Sequence, residues 1–339
     1  MPDASVYPSA PAERDRFVLE RRGARPAHDP WRHQGVVVEH EPSPHGGRER
    51  VATVFLTGRE CPWRCAMCDL WRYTTATDTP AGAIPAQIRR ARAEIAAERP
   101  PVVTMKLYNA GSFFDSRAVP ENDYDAIAAQ LDGLERVIVE SHPSLIGGRM
   151  DRWLNILERQ NGAGQPPPAL EVAMGLETVH PVALDRLHKR MTVDAFVAAA
   201  AQLADRRVAL RVFLLIAPPF VPREQQDHWL MESVERALSC GAAVVSLIPT
   251  RPGNGALDTI AAAGDFSPPH LSDIERSAAL ALEKAGDRGR LFVDLWDLER
   301  FSGCSDCYPR RRARLHAMNL EQRVLPPVLC HDDCANRAH

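Results

Sequence analysis

The sequence lacks the marks of a membrane or secreted protein. Its 339 residues contain no apolar run near the length of about 18 residues that a helix needs to cross a bilayer. The N-terminal residues, MPDASVYPSAPAERDRF, lack the apolar stretch of a secretory signal. We therefore expect a cytoplasmic protein that has no membrane partner.

An excess of positive charge is also missing. The chain has 41 Lys and Arg against 44 Asp and Glu, a formal net charge of −3. This balance argues against the generally basic surface of a nonspecific nucleic-acid binder, while local basic patches stay open. Hydrophobic residues make up 45% of the chain, which is enough for a large buried core.

Cysteine is missing from most of the chain and is concentrated in two places. Seven of the eight cysteines form these groups, at Cys61, Cys65 and Cys68 and at Cys304, Cys307, Cys330 and Cys334. In a chain without a secretory signal, such close spacing favours metal or cluster ligation over disulfides. Cys240 stands apart and is most simply a small buried side chain.

The rest of the sequence alternates β-rich and helical stretches. Strands are predicted at residues 36–41, 51–57, 102–108, 136–140, 169–175, 209–216, 242–248 and 291–295, and helices at 85–98, 150–160, 193–204, 223–239 and about 272–285. Because a parallel return needs a long connection, this order predicts an α/β fold, a partial (β/α)6-type TIM-like barrel. A doubly wound open sheet is the alternative. A barrel would place the chemistry at the C-terminal ends of its strands.

Both ends of the chain break this alternation. Residues 1–35, rich in Pro, Arg, Ala and Asp, predict a loosely ordered N-terminal arm. Residues 36–299 form the predicted core domain, and residues 300–339 a cysteine-containing C-terminal extension.

The first cysteine group has the spacing C-x3-C-x2-C within TGRECPWRCAMCD, residues 57–69. Three thiolates on a short loop can bind three irons of a [4Fe–4S] cube and leave the fourth iron open. An open iron can chelate S-adenosylmethionine (SAM), and an electron from the cluster can then cleave its S–C bond. The alternative is a zinc site completed by a His or a distant Cys, although zinc sites more often pair two CxxC halves.

Six segments carry a resemblance to a known family. They are LTGRECPWRCAMCD (56–69), KLYNAGSFFD (106–115), VESHPSLI (139–146), GLETVHPVALDRLHKRMT (175–192), FLLIAPPFVPREQQD (213–227) and SLIPTRPGNGALD (246–258). In this order they resemble the Elp3/MiaB-like part of the radical SAM superfamily, in particular the radical SAM component of archaeosine synthase and its bacterial relatives. The resemblance implies SAM and a [4Fe–4S] cluster as cofactors, with Cys61, Cys65 and Cys68 as cluster ligands, and an electron donor such as ferredoxin or flavodoxin.

The resemblance also implies the SAM contacts. Asn109, Gly111 and Ser112 stand where such enzymes hold the SAM amino group, and glycine lets the backbone approach a ligand closely. Glu177 matches a contact to the SAM ribose or amino end, and Lys189 could face the SAM carboxylate or a substrate anion. The alternatives are an ordinary strand-to-helix turn, an acid at a helix N-terminus and a solvated lysine.

Three further residues bear on the same pocket. Glu140 and His142 end a predicted strand and could line it, with a structural histidine as the alternative for His142. Met67 departs from the family, which often has an aromatic residue before the third cysteine to pack on adenine.

The C-terminal cysteines form a CxxC pair and a CxxxC pair. Between Cys307 and Cys330 lie 22 residues, a good separation for the two halves of a structural zinc site. An auxiliary [4Fe–4S] cluster and cysteines without a metal stay as alternatives. The basic run at residues 310–314 is either solvated or able to contact phosphates.

The predicted activity is therefore reductive SAM cleavage that starts radical chemistry by hydrogen abstraction. The resemblance favours a tRNA nucleobase of the archaeosine type as substrate, although the net charge of −3 argues against it. A small molecule or peptide substrate is the alternative within the same class. A non-enzymatic zinc-binding interaction module is the alternative from another class.

Overall fold

Eight strands form a single connected sheet. The computed structural model describes residues 6–160 and 166–329. The strands are β1 (Gly35–Pro42), β2 (Arg48–Phe55), β3 (Thr104–Tyr108), β4 (Arg136–Glu140), β5 (Ala169–Glu177), β6 (Ala209–Ile216), β7 (Ala242–Pro249) and β8 (Arg290–Val293). β1 and β2 form an antiparallel hairpin, and β2 to β8 are parallel neighbours in chain order. The predicted strands are confirmed.

The sheet curls into a barrel. In a flat sheet β1 and β6 would lie five strand spacings, or about 24 Å, apart. Instead Arg211 Nη2 on β6 lies 3.3 Å from Glu41 Oε2 on β1, across the interior. The strand order also lacks the reversal that defines a doubly wound sheet. The prediction of a partial TIM-like barrel, with six crossovers between seven parallel strands, is confirmed.

Helices cover the outside of this barrel. They are α1 (Pro11–Arg21), α2 (Ala83–Ile95), α3 (Tyr124–Ala128), α4 (Gly148–Gln160), α5 (Pro181–Arg186), α6 (Val193–Asp205), α7 (Gln226–Ser239), α8 (Ala256–Ala262), α9 (Leu271–Ala285) and α10 (Tyr308–Glu321). The five predicted helices correspond to α2, α4, α6, α7 and α9. The main core lies between the strands and these helices, with Trp153 of α4 and Phe196 of α6 fully buried in it. In the part of the chain that the structure describes, no helix has the length and apolarity needed to cross a membrane.

The barrel interior is charged at the end where the parallel strands begin. Lys106 of β3 and Arg211 of β6 both bind Glu41 of β1, and Arg211 also donates to Glu171 of β5 at 2.6 Å. All four side chains are at most 7% exposed. We call these four residues the ionic floor. Its ion pairs join β1, β3, β5 and β6 across the barrel interior, at the end where the parallel strands begin.

The N-terminal residues are more ordered than the sequence predicted. Pro11–Arg21 forms α1, with Pro11 in the first turn, where the missing N–H costs nothing. Phe17 of this helix meets Tyr7 at 5.1 Å between ring centroids, and Tyr7 meets Phe220 of the barrel at 5.2 Å. The expectation of a loosely ordered arm is therefore wrong for this stretch, because aromatic burial against the barrel offsets the entropy of ordering it.

The C-terminal segment also contains a helix that the sequence did not predict. In α10, Leu315 and Met318 are buried, and Arg311 donates to Glu275 of α9 at 2.6 Å. The arginines of the basic run are thus partly engaged within the protein. The three-part domain division itself stays a prediction.

Candidate active site

The first cysteine group lies in the loop that follows β2, at the C-terminal ends of the parallel strands. We call residues 60–69 the cysteine loop. Its backbone is held at Ala66, whose N–H donates to Leu187 O at 3.0 Å. Asn254, after β7, donates through Nδ2 to Ala66 O at 2.8 Å and to Cys68 O at 3.3 Å. Loops from three parts of the sheet therefore meet at the cysteines, as the barrel fold predicted.

The three thiols lie within electrostatic reach of one another, and Cys65 is the most buried of them. Burial, followed by the charges of the other two thiols, raises the pKa of Cys65 well above its usual range. Burial and then Cys61 raise the pKa of Cys68 to about 12. Burial is also the first cause of the raised pKa of Cys61. Three thiolates that repel one another at close range favour a positively charged centre among them.

This donor set suits a cluster. Among residues 6–160 and 166–329, no three His, Cys, Asp or Glu side chains gather closely enough for a single metal ion. A [4Fe–4S] cube makes a different demand, since each thiolate binds its own iron. Three soft donors on one loop, with no fourth cysteine nearby in the sequence, match that demand.

The loop after β3 brings the predicted SAM residues against the cysteine loop. A Cβ added to Gly111 would lie 3.4 Å from Cys61 Cβ, so glycine here allows close packing. Ser112 Oγ accepts a hydrogen bond from His142 N–H at 2.8 Å and ties this loop to the next. Asn109 is fully buried, yet neither its Oδ1 nor its Nδ2 has a partner in the described part of the chain.

The buried Asn109 amide bears on whether SAM fits beside the cysteine loop. An unsatisfied buried amide costs about 1–3 kcal/mol unless something binds it. Asn109 offers both a donor and an acceptor beside the cysteine loop, which suits a zwitterionic ligand such as the methionyl end of SAM. The residues present therefore fit the two predicted cofactors together.

Glu140 ends β4 at the same place. Its Oε1 accepts a hydrogen bond from Gly111 N–H at 3.3 Å. Burial raises the pKa of Glu140 to about 7, against the lowering effect of these backbone donors. Glu140 thus lies beside the loop after β3, and its role as a pocket-lining residue stays a prediction.

Glu177 and Lys189, predicted to contact SAM, bind each other. Lys189 Nζ lies 2.5 Å from Glu177 Oε1 and 2.5 Å from Gly175 O. A Cβ on Gly175 would lie 2.0 Å from Glu177 Oε1, so this glycine makes room for the pair. Glu177 is the last residue of β5 and caps no helix, because His180 caps α5. Glu177 already has a partner within the protein. Its burial is therefore no evidence for a ligand, and its contact with SAM stays a prediction.

The backbone around these residues is strained. Four residues near the site have left-handed φ angles without being glycine, namely Ala110 (54°), Glu177 (66°), His188 (58°) and Arg190 (57°). A β-bulge also interrupts the β5–β6 register between Gly175 and Glu177. Such strain persists only where the surroundings impose it, and it clusters at functional sites.

His142 has a structural role in this arrangement. Its ring stacks on Trp63 of the cysteine loop at 3.8 Å between centroids, and its Nε2 lies 3.0 Å from Lys189 O. Burial and the nearby Lys189 lower the pKa of His142 to about 4, so the ring is neutral at physiological pH. Met67 packs against the smaller core cluster that includes Phe220.

Sequence reasoning missed three residues that hold the site. Trp63 stacks on His142, Asn254 binds the cysteine loop, and Glu60 accepts hydrogen bonds from Arg22 and Arg25. In the sequence, Glu60 and Trp63 stand within the cysteine motif and Asn254 stands within segment 246–258, but nothing there marks their contacts. The contacts themselves join residues far apart in the chain.

The second cysteine group is only partly described. Cys304 and Cys307 precede α10, and Cys307 is buried at its N-terminus. Cys330 and Cys334 lie outside the described residues. The predicted second metal site is therefore still a prediction.

No protein-family model matches the chain. Archaeosine synthase subunit beta of Methanosarcina acetivorans is 27% identical over 241 residues, which are 68% of this chain and 66% of that protein. An uncharacterized protein of Methanocaldococcus jannaschii is 22% identical over 176 residues, 50% of this chain and 46% of the relative. The chain thus matches slightly less than two thirds, and about half, of these two proteins.

Solved structures give more distant likenesses. Elp3 of Methanocaldococcus infernus has a TM-score of 0.46 at 12% identity, over 61% of this chain and 51% of that one. Methylornithine synthase has a TM-score of 0.43 at 11% identity, over 80% and 82%. The sequence match to an archaeosine synthase subunit confirms the predicted resemblance to that protein.

Proposed function

We propose that the chain is a radical SAM enzyme, with Cys61, Cys65 and Cys68 as ligands of a [4Fe–4S] cluster. The observation that carries this proposal is the buried, unpartnered Asn109 amide beside three mutually interacting thiols. When bound, cluster and SAM together supply reductive cleavage of the S–C bond and a 5′-deoxyadenosyl radical that abstracts hydrogen. A low-potential protein such as ferredoxin or flavodoxin supplies the electron.

The chain's own residues then bind and orient. Asn109 holds the charged methionyl end of SAM through its amide, and Gly111 lets that ligand approach the cysteine loop. Glu177 and Lys189 present paired charges to the SAM ribose and carboxylate, with Ser112 fixing the loop that carries Asn109. Glu140 holds or releases a proton at its carboxyl, because its pKa lies near 7.

The test is single substitution of each cysteine. Cys61→Ala, Cys65→Ala and Cys68→Ala should each abolish 5′-deoxyadenosine formation and the thiolate-to-iron absorption of anaerobically reconstituted protein, because a cube with two anchors is not held. Cys240→Ala is the matched control, since Cys240 lies at the end of α7 and should leave both measurements unchanged. Undiminished 5′-deoxyadenosine in any of the three variants would refute the assignment.

We further propose that the substrate is a nucleobase in tRNA, modified as in archaeosine formation. The sequence match to an archaeosine synthase subunit supports this choice. Nucleoside profiling of tRNA from a strain that lacks the gene should show one missing modification. An unchanged tRNA profile, from a protein that still cleaves SAM, would assign the enzyme to a small molecule or peptide instead.

The C-terminal cysteines are proposed to bind a second metal. Cys304 and Cys307 form one half of the site, directly before α10. The Cys61/Cys65/Cys68 triple alanine variant should therefore keep about one zinc, or a second iron–sulfur signal, per chain. Zinc would indicate a structural site and iron an auxiliary cluster. A triple variant purified without metal would contradict the proposal.

A further inference from the structure

Glu60 is a buried carboxylate held by arginines from two parts of the chain. Arg22 donates to its Oε1 at 2.6 Å, and Arg25 donates to its Oε2. Arg64, from the cysteine loop itself, lies 3.2 Å from Oε1. The carboxylate side chain is 10% exposed, and Arg22 is 6% exposed. Hydrogen bonds between charged groups that are this well buried are strong and costly to break.

Arg64 links the Glu60 carboxylate to the backbone of Cys61. Arg64 Nη1 donates to Cys61 O at 2.7 Å and to Trp63 O at 3.0 Å. Glu60 thus orients the guanidinium that fixes the carbonyl of the first cysteine. Arg22 also lies over the ring of Trp71, 5.0 Å from its centroid, in the turn that directly follows the cysteine loop.

The same N-terminal segment holds the turn that carries Lys189. Asp15 binds His188 Nε2 at 2.9 Å and also pairs with Arg190, on either side of that lysine. One residue earlier in α1, Arg14 donates to Asp185 O and to Asp185 Oδ2, both at 2.9 Å. Residues 14–25 therefore contact both the cysteine loop and the segment around Lys189.

We propose that residues 14–25 form an N-terminal clamp that is part of the site, and that Glu60 is its positioning residue. The clamp fixes the cysteine loop relative to Lys189, and Ala66 N–H to Leu187 O is the direct link between the two held segments. Catalytic groups must be held within a fraction of an ångström of their working geometry, which ligands alone seldom achieve. This proposal rests on the proposed function only in taking Cys61, Cys65 and Cys68 as cluster ligands.

The test measures loop opening in metal-free, reduced, full-length protein. The probe is iodoacetamide, and peptide mass spectrometry follows the alkylation rate of Cys65, which is 9% exposed. A buried thiol is labelled through local opening, so its rate reports how often the loop opens. Cys65 is preferred to Cys61 because Glu60 itself raises the pKa of Cys61, and its loss would change the reactivity of that thiol directly.

Glu60→Gln should raise the Cys65 rate roughly 10-fold or more, because it removes the charge that holds three arginines. Glu60→Asp, which keeps the charge on a shorter side chain, should recover part of the protection. Arg25→Gln and Asp15→Asn should each give a smaller rise. The matched control is Asp29→Asn, four residues after the clamp. The Asp29–Arg32 pair is exposed, with 3.7 Å between its charged atoms, and its loss should not affect the rate.

Cys240 serves as an internal reference in every sample, since it lies on α7 away from the clamp. A Cys65 rate within about twofold of wild type in Glu60→Gln overturns the proposal. If Glu60→Gln unfolds and both thiols are alkylated faster, the same measurement on Arg25→Gln replaces it. An equal rise in the Cys65 and Cys240 rates of Arg25→Gln also overturns the proposal. The assay uses neither iron nor SAM, so a clamped protein that never cleaves SAM would refute the proposed function and leave the clamp standing.

Discussion

The two ends of the barrel interior treat buried polar groups in opposite ways. In the ionic floor, Arg211 binds two carboxylates and Glu41 binds two cations. At the mouth, the Asn109 amide has no partner within the described residues, and the Glu140 carboxyl accepts hydrogen bonds only from backbone. The four floor charges are thus paired within the protein, whereas at the mouth Glu177 and Lys189 pair with each other and the Asn109 amide stays unpaired among the described residues.

This difference separates architecture from function. In the floor, the paired charges specify which strands meet across the barrel. A buried polar group without a partner is costly, so it persists where a ligand completes it. The comparison therefore makes opposite predictions for the two ends: substitutions in the floor should affect stability, and substitutions at the mouth should affect binding.

The largest expected effect is in the floor. Arg211→Met leaves the carboxylates of Glu171 and Glu41 buried with fewer partners, and we expect a loss of about 3–5 kcal/mol in the free energy of unfolding. Denaturant titration measures it. Arg288→Met, which breaks an exposed pair with Glu235, is the control and should leave the free energy of unfolding nearly unchanged. Equal small losses in both variants would contradict the distinction.

A double substitution sharpens this result. Arg211→Met combined with Glu171→Met replaces the buried pair by apolar side chains, which is often close to neutral. The double variant should therefore recover much of the stability that Arg211→Met loses. Recovery would show that the loss comes from an unpaired charge rather than from the barrel's need for these particular residues.

At the mouth, two buried asparagines provide a matched pair with a smaller effect. Asn109→Ala should leave stability unchanged and weaken SAM binding roughly 10- to 100-fold, because a hydrogen bond to a charged group contributes about 1.5–3 kcal/mol. Asn254→Ala should instead lower stability, since the Asn254 side chain is already bonded to Ala66, Cys68 and Leu257. Isothermal titration with SAM and thermal unfolding separate the two. Unchanged SAM affinity in Asn109→Ala would remove its binding role.

The sequence predicted the strands well and these contacts poorly, for a physical reason. Buried parallel strands are nearly continuous apolar runs, which are visible locally. Three residues of the ionic floor appear in the sequence only as a single charge inside an apolar run, namely Lys106 in VVTMKLY, Glu171 in ALEVAMG and Arg211 in ALRVFLLI. A lone charge in an apolar strand implies a buried partner, but the partner lies on another strand and cannot be read from spacing.

The helix α1 was missed for the same reason. Its sequence, PAERDRFVLER, is mostly charged, and only Arg14, Phe17 and Val18 are buried. Their partners include Asp185 and Phe220, more than 150 residues away. Local pattern does not reveal burial that depends on distant residues, so the stretch resembled a disordered arm.

The smallest expected effect compares one carboxyl from each end. Burial raises the pKa of Glu140 to about 7, so the folded protein binds this proton more tightly than the unfolded chain does. Glu41 is opposite: burial tends to raise its pKa, but Lys106 and Arg211 outweigh that and lower it to about 2. Stability depends on pH only between the folded and unfolded pKa values of each group. Glu140 therefore makes the free energy of unfolding depend on pH between about pH 4.5 and 7, and Glu41 does so between about pH 2 and 4.5.

In metal-free, SAM-free protein, the Glu140 contribution is present below pH 4.5 and is lost as pH rises through 7. Wild type should lose about 1–2 kcal/mol more stability than Glu140→Gln between pH 5 and 7.5, a modest figure because the carboxyl is only partly shielded from solvent. Glu41→Gln should be less stable throughout, yet follow the wild-type slope in this window, because Glu41 is ionised in both states there. Denaturant midpoints at four or five pH values measure all three proteins. If Glu140→Gln keeps the wild-type dependence of stability on pH between pH 5 and 7.5, another group titrates in that range. Glu140 would then not be the carboxyl that distinguishes the mouth from the floor.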